Sequence, residues 1–187
     1  MLRFLTLGAV SALAMALPAS GQAVIIGGGL AKDCFMKVEA QSSRFIEVER
    51  TCTRALESET MTRSNRAATY VNRGIIRMRA GNYDSALTDY DRAINMEEEL
   101  GAAYLNRGAA FILKGDFAAA RASLDRAIAL ETNDLHAAHY NRAIARERTG
   151  DVTGAYYDFI TASELKPDWP LPLRQLERFT VTGDPEA

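Results

Sequence analysis

Apolar and small side chains recur at steps of three and four along residues 67–168, which is the period of an amphipathic helix. In the first stretch the recurring positions are Tyr70, Gly74, Ile75 and Met78. After an interruption at Gly81 the same period resumes, at Ala86, Leu87, Tyr90, Ala93 and Ile94. A glycine that interrupts helical periodicity indicates a turn, because glycine enters the left-handed backbone region without steric strain. The pattern therefore predicts two helices joined by a turn.

The sequence pattern of this helix pair occurs three times in succession. Residues 70–94 read YVNRGIIRMRAGNYDSALTDYDRAI and residues 104–128 read YLNRGAAFILKGDFAAARASLDRAI, an offset of 104 − 70 = 34. Eleven of the thirty positions in residues 67–96 are identical to those in residues 101–130. A third copy follows at an offset of 35, with the extra residue in the connector that precedes it. A fixed period of this length predicts an all-α fold, an α-solenoid of antiparallel helix pairs.

Two kinds of glycine recur with the repeat. Gly81, Gly115 and Gly150 stand at the predicted turns. Gly74 and Gly108 instead stand inside predicted helices, where glycine costs about 1 kcal/mol relative to alanine. Such a cost at matching positions indicates that the partner helix approaches closely there, and we expect its small residues to make the contact. Those residues are Ala86, Ala120 and Ala155.

The period and the recurring residues together resemble the tetratricopeptide repeat. Beside the period, the residues that carry the resemblance are Tyr70, Tyr104, Gly74, Gly108, Gly81, Gly115, Gly150, Ala86, Ala120, Ala155, Tyr90, Leu124, Phe159, Ala93, Ala127, Ala162 and Pro167. His139 replaces the aromatic start in the third copy, and Glu98 and Thr132 stand where that copy has Pro167. The resemblance covers residues 67–168. It implies three repeats, at residues 67–100, 101–134 and 135–168.

In this family the first helix of each pair lines the concave face of the solenoid, and that face binds peptides or helices of other proteins. The resemblance therefore implies a groove, whose lining we call the groove residues: Val71, Ile75, Met78, Leu105, Asn106, Ala109, Ile112, Tyr140, Asn141 and Ile144. Most are apolar, so the groove suits an amphipathic helix or an extended apolar peptide of another protein. Two other interpretations stay open. The chain's own termini cover these residues, or they form a surface without a ligand.

An asparagine recurs along the same helices, at Asn72, Asn106 and Asn141, where its amide is placed to bond the backbone of a ligand. Some members of the family grip the terminal carboxylate of a partner with Lys, Arg and Asn on these helices. The matching positions here hold Val71, Ile75, Asn106, Ala137 and Asn141. Only Asn106 fits, so we expect no carboxylate clamp.

A degenerate repeat is predicted before the three clear ones. Phe45, Val48, Cys52 and Ala55 have the spacing of Tyr83, Ala86, Tyr90 and Ala93. Its first helix is expected at residues 30–40. Residues 24–66 would then consist of a linker and this degenerate repeat.

The chain beyond the last repeat, residues 169–187, is predicted to form a capping helix and a tail. Pro170 and Pro172 suit the entrance of a helix. Leu173, Leu176 and Phe179 would form one face of that helix. A solenoid needs such a cap to cover the apolar surface of its terminal repeat.

Residues 1–23 have the layout of a secretory signal peptide. Arg3 precedes an apolar run over residues 4–17, Pro18 breaks the run, and small residues lead to Ala23, after which we expect cleavage. The alternative is an uncleaved N-terminal anchor, because Arg3 is the only charge in the first 31 residues. The apolar run is, however, shorter than the about 20 residues that span a bilayer. We therefore expect a periplasmic or secreted protein.

Export changes the interpretation of the two cysteines, Cys34 and Cys52, which are 52 − 34 = 18 residues apart. In an oxidising compartment an isolated pair is most simply a disulfide. It would tie the two helices of the degenerate repeat together. The alternative is two buried free thiols. A zinc site is not expected, since the pair has no partners at ligand spacing.

The charges and histidines limit the other classes of function. The formal charge of −2 gives no excess of basic residues for nucleic acid. His136 and His139 are the only histidines, and no carboxylate or thiol at ligand spacing completes a metal site. No nucleophile turn or phosphate-binding loop is present either. We therefore expect that the protein is not an enzyme and that it binds no cofactor, metal or small-molecule substrate.

Three arginines, Arg73, Arg107 and Arg142, also recur with the repeat. One interpretation is a basic ladder for anionic ligands. The simpler one is ion pairing within or between repeats, because Asp91 and Asp125 recur as well.

The sequence as a whole predicts an exported protein that mediates protein–protein interaction, as an adaptor or assembly factor in the bacterial cell envelope. The alternative is a membrane-anchored recruitment factor with an uncleaved N-terminal helix. Contact with the membrane is expected only in that second case.

Overall fold

A computed structural model describes residues 4–7 and 28–182 of the 187-residue chain. Within these ranges the helices are α1 Leu30–Glu39, α2 Phe45–Ser58, α3 Arg63–Arg79, α4 Tyr83–Met96, α5 Gly101–Lys114, α6 Phe117–Ala129, α7 Leu135–Arg148, α8 Val152–Leu165 and α9 Leu171–Leu176. Two short strands complete the elements, β1 Phe4–Leu7 and β2 Phe179–Thr182. Apart from β1, the predicted signal peptide lies outside the described residues.

Helices α1 to α8 form an α-solenoid of helix pairs. Each helix packs against the next one in the chain, which makes four successive pairs from α1 and α2 to α7 and α8. The first helices of neighbouring pairs also contact one another, from α1 to α3, α3 to α5 and α5 to α7. These first helices therefore form one continuous layer, as the repeat predicts.

Each of the three clear pairs turns at the predicted glycine. Gly81, Gly115 and Gly150 have φ angles of 82°, 82° and 87°, in the left-handed region that glycine enters without strain. The following helix begins at once, because Asp116 and Asp151 accept hydrogen bonds from backbone N–H groups of α6 and α8, at 3.1 and 2.9 Å. The turns are therefore determined locally by glycine and its neighbours.

The glycines inside the helices do mark close approach of the partner helix, and the nearest atoms at Gly74 and Gly108 belong to large side chains rather than to Ala86 and Ala120. A Cβ on Gly74 would lie 2.5 Å from Cε1 of Tyr90, and a Cβ on Gly108 would lie 2.6 Å from Cγ of Leu124. The large side chain of the partner helix lies over the glycine. The missing Cβ thus makes room for a ring or a leucine in the core.

Helices α1 and α2 form the degenerate first pair. Cys34 and Cys52 are joined by a disulfide with a Cα–Cα distance of 4.9 Å, and both are completely buried. The N-terminus of α1 is held by Glu59, whose carboxylate accepts hydrogen bonds from the backbone N–H groups of Leu30 and Ala31. Two links therefore fix α1: the disulfide to α2, and the hydrogen bonds from its N-terminus to the side chain of Glu59.

The C-terminal cap is shorter than predicted. Helix α9 ends at Leu176, and Phe179 lies in β2 rather than on the face of a long helix. Leu173 is half-exposed, so it contributes little to the cap. The three residues after Phe179 are Thr, Val and Thr, which are β-branched and favour extended backbone.

Within residues 4–7 and 28–182, no helix is both long enough and apolar enough to cross a membrane.

Candidate peptide-binding groove

The groove residues lie on three helices that pack side by side, α3, α5 and α7. On α3 they are four and three residues apart, which places Val71, Ile75 and Met78 on one face. The same spacing holds on α5 for Leu105, Ala109 and Ile112. The structure therefore brings the predicted positions into one layer, as successive rungs of the solenoid.

The side chains at these positions are buried, whereas the sequence predicts an accessible apolar groove. Each of the ten groove residues is at most 8% exposed in the full-length chain. Those on α3 belong to the same hydrophobic cluster as Val38 of α1 and Val48 of α2. Tyr140 and Ile144 on α7 belong to a second cluster with Phe159 of α8 and the partly buried Trp169. Burial follows because each first helix packs on neighbours on several sides.

The chain's own C-terminal segment covers part of the third repeat. The ring of Trp169 lies 4.9 Å from the ring of Tyr140, centroid to centroid. Arg178 pairs with Glu147, one turn beyond Ile144. At this end of the groove, coverage by a terminus, one of the interpretations left open by the sequence, describes the structure.

Two asparagines in this layer have unpaired amide atoms. Among the described residues, neither Nδ2 nor Oδ1 of Asn72 has a hydrogen-bond partner, although the side chain is almost completely buried. Nδ2 of Asn106 donates to the carbonyl of Ala102 at 2.9 Å, but its Oδ1 accepts no hydrogen bond. A buried amide without partners costs about 1–3 kcal/mol. These amides therefore do not favour the packing of the core, but their unpaired atoms could form hydrogen bonds with the backbone of a ligand.

The groove residues carry no charge, and the recurring arginines point elsewhere. Nη1 of Arg107 lies 2.8 Å from Oδ1 of Asp91, and Nη1 of Arg142 lies 2.8 Å from Oδ1 of Asp125. In both cases the aspartate belongs to the preceding repeat. Arg107 and Arg142 thus form ion pairs between repeats, and they do not belong to a free basic ladder.

Two buried carboxylates that the repeat pattern did not reveal accept hydrogen bonds from the recurring arginines. Asp89 accepts hydrogen bonds from Arg73 and Arg77, and Asp158 accepts them from Arg142 and Arg146. Burial raises the pKa of Asp158, but hydrogen bonds from Arg142 and His139 outweigh it and bring the pKa below its ordinary value. The equivalent position in the second repeat is Ser123, which accepts from Arg107.

The two histidines have separate partners. Nδ1 of His139 lies 2.9 Å from Oδ1 of Asp158, while the ring of His136 meets the ring of Trp169 edge to face. Within the described part of the chain, no group of three or more His, Cys, Asp or Glu side chains is placed to hold a metal ion.

Comparison with protein families and known proteins identifies the architecture. Two family models described as "Tetratricopeptide repeat" match residues 65–130 and 114–168, so together they cover residues 65–168, more than half of the chain. A comparison with curated proteins gives no match.

Solved structures show the same fold at low sequence identity. MamA 41-end from Desulfovibrio magneticus RS-1 is 18% identical, with a TM-score of 0.65 over 80% of this chain and 82% of that one. The first TPR domain of human RPAP3 is 23% identical, with a TM-score of 0.57 over 59% of this chain and 87% of that one. The second TPR domain of human RPAP3, in complex with the HSP70 peptide SGPTIEEVD, is 24% identical, with a TM-score of 0.58 over 62% and 96%.

Proposed function

The chain belongs to the tetratricopeptide-repeat family, and on this basis we propose that it is an exported adaptor or assembly factor of the bacterial cell envelope. It binds a segment of another protein along the layer formed by α3, α5 and α7. The observation that carries this proposal is the pair of buried asparagines, Asn72 and Asn106. Among the described residues, both amide atoms of Asn72 and Oδ1 of Asn106 have no hydrogen-bond partner.

The chemistry of the layer selects the kind of segment that binds. The RPAP3 domain cited above holds a peptide that ends in Glu-Glu-Val-Asp. The groove residues here contain no lysine or arginine that would pair with such acidic side chains. An uncharged, apolar segment fits instead, since apolar side chains gain from burial while its backbone bonds the asparagine amides.

Export is supported by two independent features. Residues 1–23 have the layout of a signal peptide, and Cys34 and Cys52 form a disulfide. Disulfides persist in oxidising compartments such as the periplasm. The intact mass of the exported protein tests this part: loss of residues 1–23 supports cleavage, and their retention supports the anchored alternative.

Binding requires access to side chains that are buried in the 187-residue chain. These side chains are covered by neighbouring helices and, at Tyr140, by the C-terminal segment, so we expect the partner to displace groups that cover the layer. A photoreactive residue in place of Leu113 reports on this process, because Leu113 is 36% exposed and adjoins Ile112. A second probe in place of Ile46, which is 77% exposed on α2, is the control.

The decisive variant is Asn72→Leu, which keeps the volume of the side chain and removes the amide. We expect it to stabilise the fold by about 1 kcal/mol or more, because a buried group without partners is lost. It should also abolish the cross-linked adduct formed from position 113 in living cells. Asn95→Leu, at an exposed asparagine of α4, should change neither property. Adducts that survive Asn72→Leu, or that form equally from position 46, would contradict a binding role for the groove.

A further inference from the structure

The two ends of the described chain meet in a small antiparallel sheet. Strand β1, Phe4–Leu7, pairs with strand β2, Phe179–Thr182, in the register Phe4 to Thr182 and Leu7 to Phe179. β1 also lies against α8. β1 belongs to the predicted signal peptide, so the strand that pairs with β2 is one that processing would remove.

β2 makes its own contacts with the solenoid in addition to its pairing with β1. Phe179 is 8% exposed, and its ring centroid lies 6.0 Å from that of Phe159 and 5.6 Å from that of Tyr156. The preceding residue, Arg178, pairs with Glu147 of α7. These contacts hold both the start of β2 and the chain that leads into it. The strand should therefore keep its position when β1 is absent.

Loss of β1 would leave the edge of β2 without a partner. Among the described residues β1 is the strand that pairs with β2, and the sheet has only these two strands. An unpaired edge presents backbone N–H and C=O groups that are a ready template for another chain. A pair of four-residue strands is marginal in water, so a new partner must also contribute apolar side chains.

We propose that β2 is a docking edge for an extended, apolar strand of a partner protein, which pairs antiparallel as Phe4–Leu7 does. The sequence of the strand seated there, Phe-Leu-Thr-Leu, indicates the chemistry that the edge accepts. Before processing the chain's own strand occupies the edge, and cleavage after Ala23 vacates it. This mode of recognition is β-strand addition, and it uses a different surface from the groove. It rests on the predicted cleavage but not on binding in the groove.

The probe is a fluorescent peptide with the sequence of residues 2–8, LRFLTLG. Its anisotropy is measured with processed protein purified after export and with the uncleaved full-length chain. We expect saturable binding to the processed protein and at least a tenfold weaker response from the uncleaved chain. A second peptide, with proline in place of Leu5 and Thr6, lacks the N–H groups of both central residues and should not bind.

Two protein variants, Thr180→Pro and Val181→Pro, test the edge itself. Successive N–H groups of a strand point to opposite sides, so one of these variants removes an N–H directed at the partner and should weaken binding at least tenfold. The helical circular dichroism signal checks that each variant stays folded. Asn72→Leu should leave binding of the peptide unchanged, which separates this surface from the groove. Equal binding to cleaved and uncleaved chains, binding that survives both proline variants, or an exported protein that retains residues 1–23 would each overturn the proposal.

Discussion

Asp89 is completely buried, and its carboxylate accepts two hydrogen bonds from the guanidinium of Arg73, at 2.7 Å from Nη2 and 2.9 Å from Nε. Burial lowers the pKa of Arg73, but the hydrogen bonds and the charge of Asp89 outweigh this effect and leave the pKa above its ordinary value. The same carboxylate also accepts from Arg77 at 2.9 Å. Two arginines of α3 are thus fixed to α4 by one acidic side chain.

Asp89→Asn should destabilise the protein strongly, because it leaves the buried guanidinium of Arg73 without a counter-charge. Removing one partner of a buried ion pair costs about 3–5 kcal/mol. The matched control is Asp91→Asn, since Asp91 pairs with Arg107 but its side chain is 56% exposed. Exposed pairs contribute about 0–1 kcal/mol. Urea denaturation measures the free energy of unfolding of both variants. Similar losses would show that the buried ion pair contributes no more to stability than the exposed one.

The ion pairs of Asp158 predict a dependence of stability on pH. Its pKa in the folded protein is lower than the ordinary value of 3.8, because the hydrogen bonds and charges of Arg142 and its neighbours outweigh burial. A carboxyl with a lowered pKa contributes stability that is fully present above the unfolded-state pKa, and this stability is lost as the pH falls through the folded-state pKa. The contribution should therefore disappear in strongly acidic solution.

The measurement compares the wild type with Asp158→Asn between about pH 7 and about pH 2. We expect Asp158→Asn to be less stable by about 3 kcal/mol near neutral pH. The difference should narrow only when the pH falls below 3.8. Asp125→Asn, whose side chain is 47% exposed, should differ little from the wild type over the whole range. A difference in stability between the wild type and Asp158→Asn that stays constant down to about pH 2 would mean that Asp158 does not titrate as the structure implies.

Much of the fold could be predicted because its determinants are local and repeated. The turn glycines were identified from periodicity, and Gly115 indeed has a positive φ angle. Helix α1 was expected over residues 30–40 and spans Leu30–Glu39. The expected disulfide between Cys34 and Cys52 is present. Each of these predictions depends on spacing along the chain, which a sequence states directly.

The features that escaped prediction depend on packing between distant elements. Asp89 and Asp158 are equivalent, 158 − 89 = 69 residues apart, but Ser123 interrupts the series, so a comparison of neighbouring repeats does not reveal it. The burial of the groove residues depends partly on Trp169, which follows the last repeat. The pairing of β1 with β2 joins the two ends of the chain and has no periodic signal at all.

Gly74→Ala should destabilise the protein although alanine is the better helix former. A Cβ at this position would lie 2.5 Å from Cε1 of Tyr90, which is completely buried and cannot move outward freely. Overpacking of this kind costs about 1–3 kcal/mol, whereas the gain in helix propensity is at most about 1 kcal/mol. In the third repeat the positions equivalent to Gly74 and Tyr90 hold Ala143 and Phe159. For alanine to fit in the first repeat as well, the Tyr90 ring would have to shift.

A double-mutant cycle with Tyr90→Val measures whether the clash is the cause. The smaller side chain leaves room for a Cβ, so Gly74→Ala should cost less in the Tyr90→Val background than in the wild type. The coupling free energy should amount to about 1 kcal/mol or more. Strictly additive effects would mean that the loss comes from another source, such as a shift of the helix backbone.

Reduction of the Cys34–Cys52 disulfide should loosen one end of the solenoid and leave the other intact. Closing a loop of about this size stabilises a protein by about 3 kcal/mol in the chain-entropy model. In a solenoid, stability is a sum of repeat terms and nearest-neighbour interfaces, so a loss in the first pair is felt mainly by that pair and the next one. α1 contacts α2 and α3, and both of its cross-links, the disulfide and the Glu59 cap, lie at this end. Hydrogen exchange should therefore accelerate in α1 and α2 under reducing conditions while α7 and α8 keep their protection.

The control for this experiment is the double variant Cys34→Ala/Cys52→Ala. Without reductant it should exchange like the reduced wild type, and reductant should have no further effect on it. Equal acceleration in all helices would mean that the solenoid unfolds as a single cooperative unit. No acceleration in α1 and α2 would mean that apolar contacts, such as those of the buried Val38 and Val48, hold the degenerate pair together without the covalent bond.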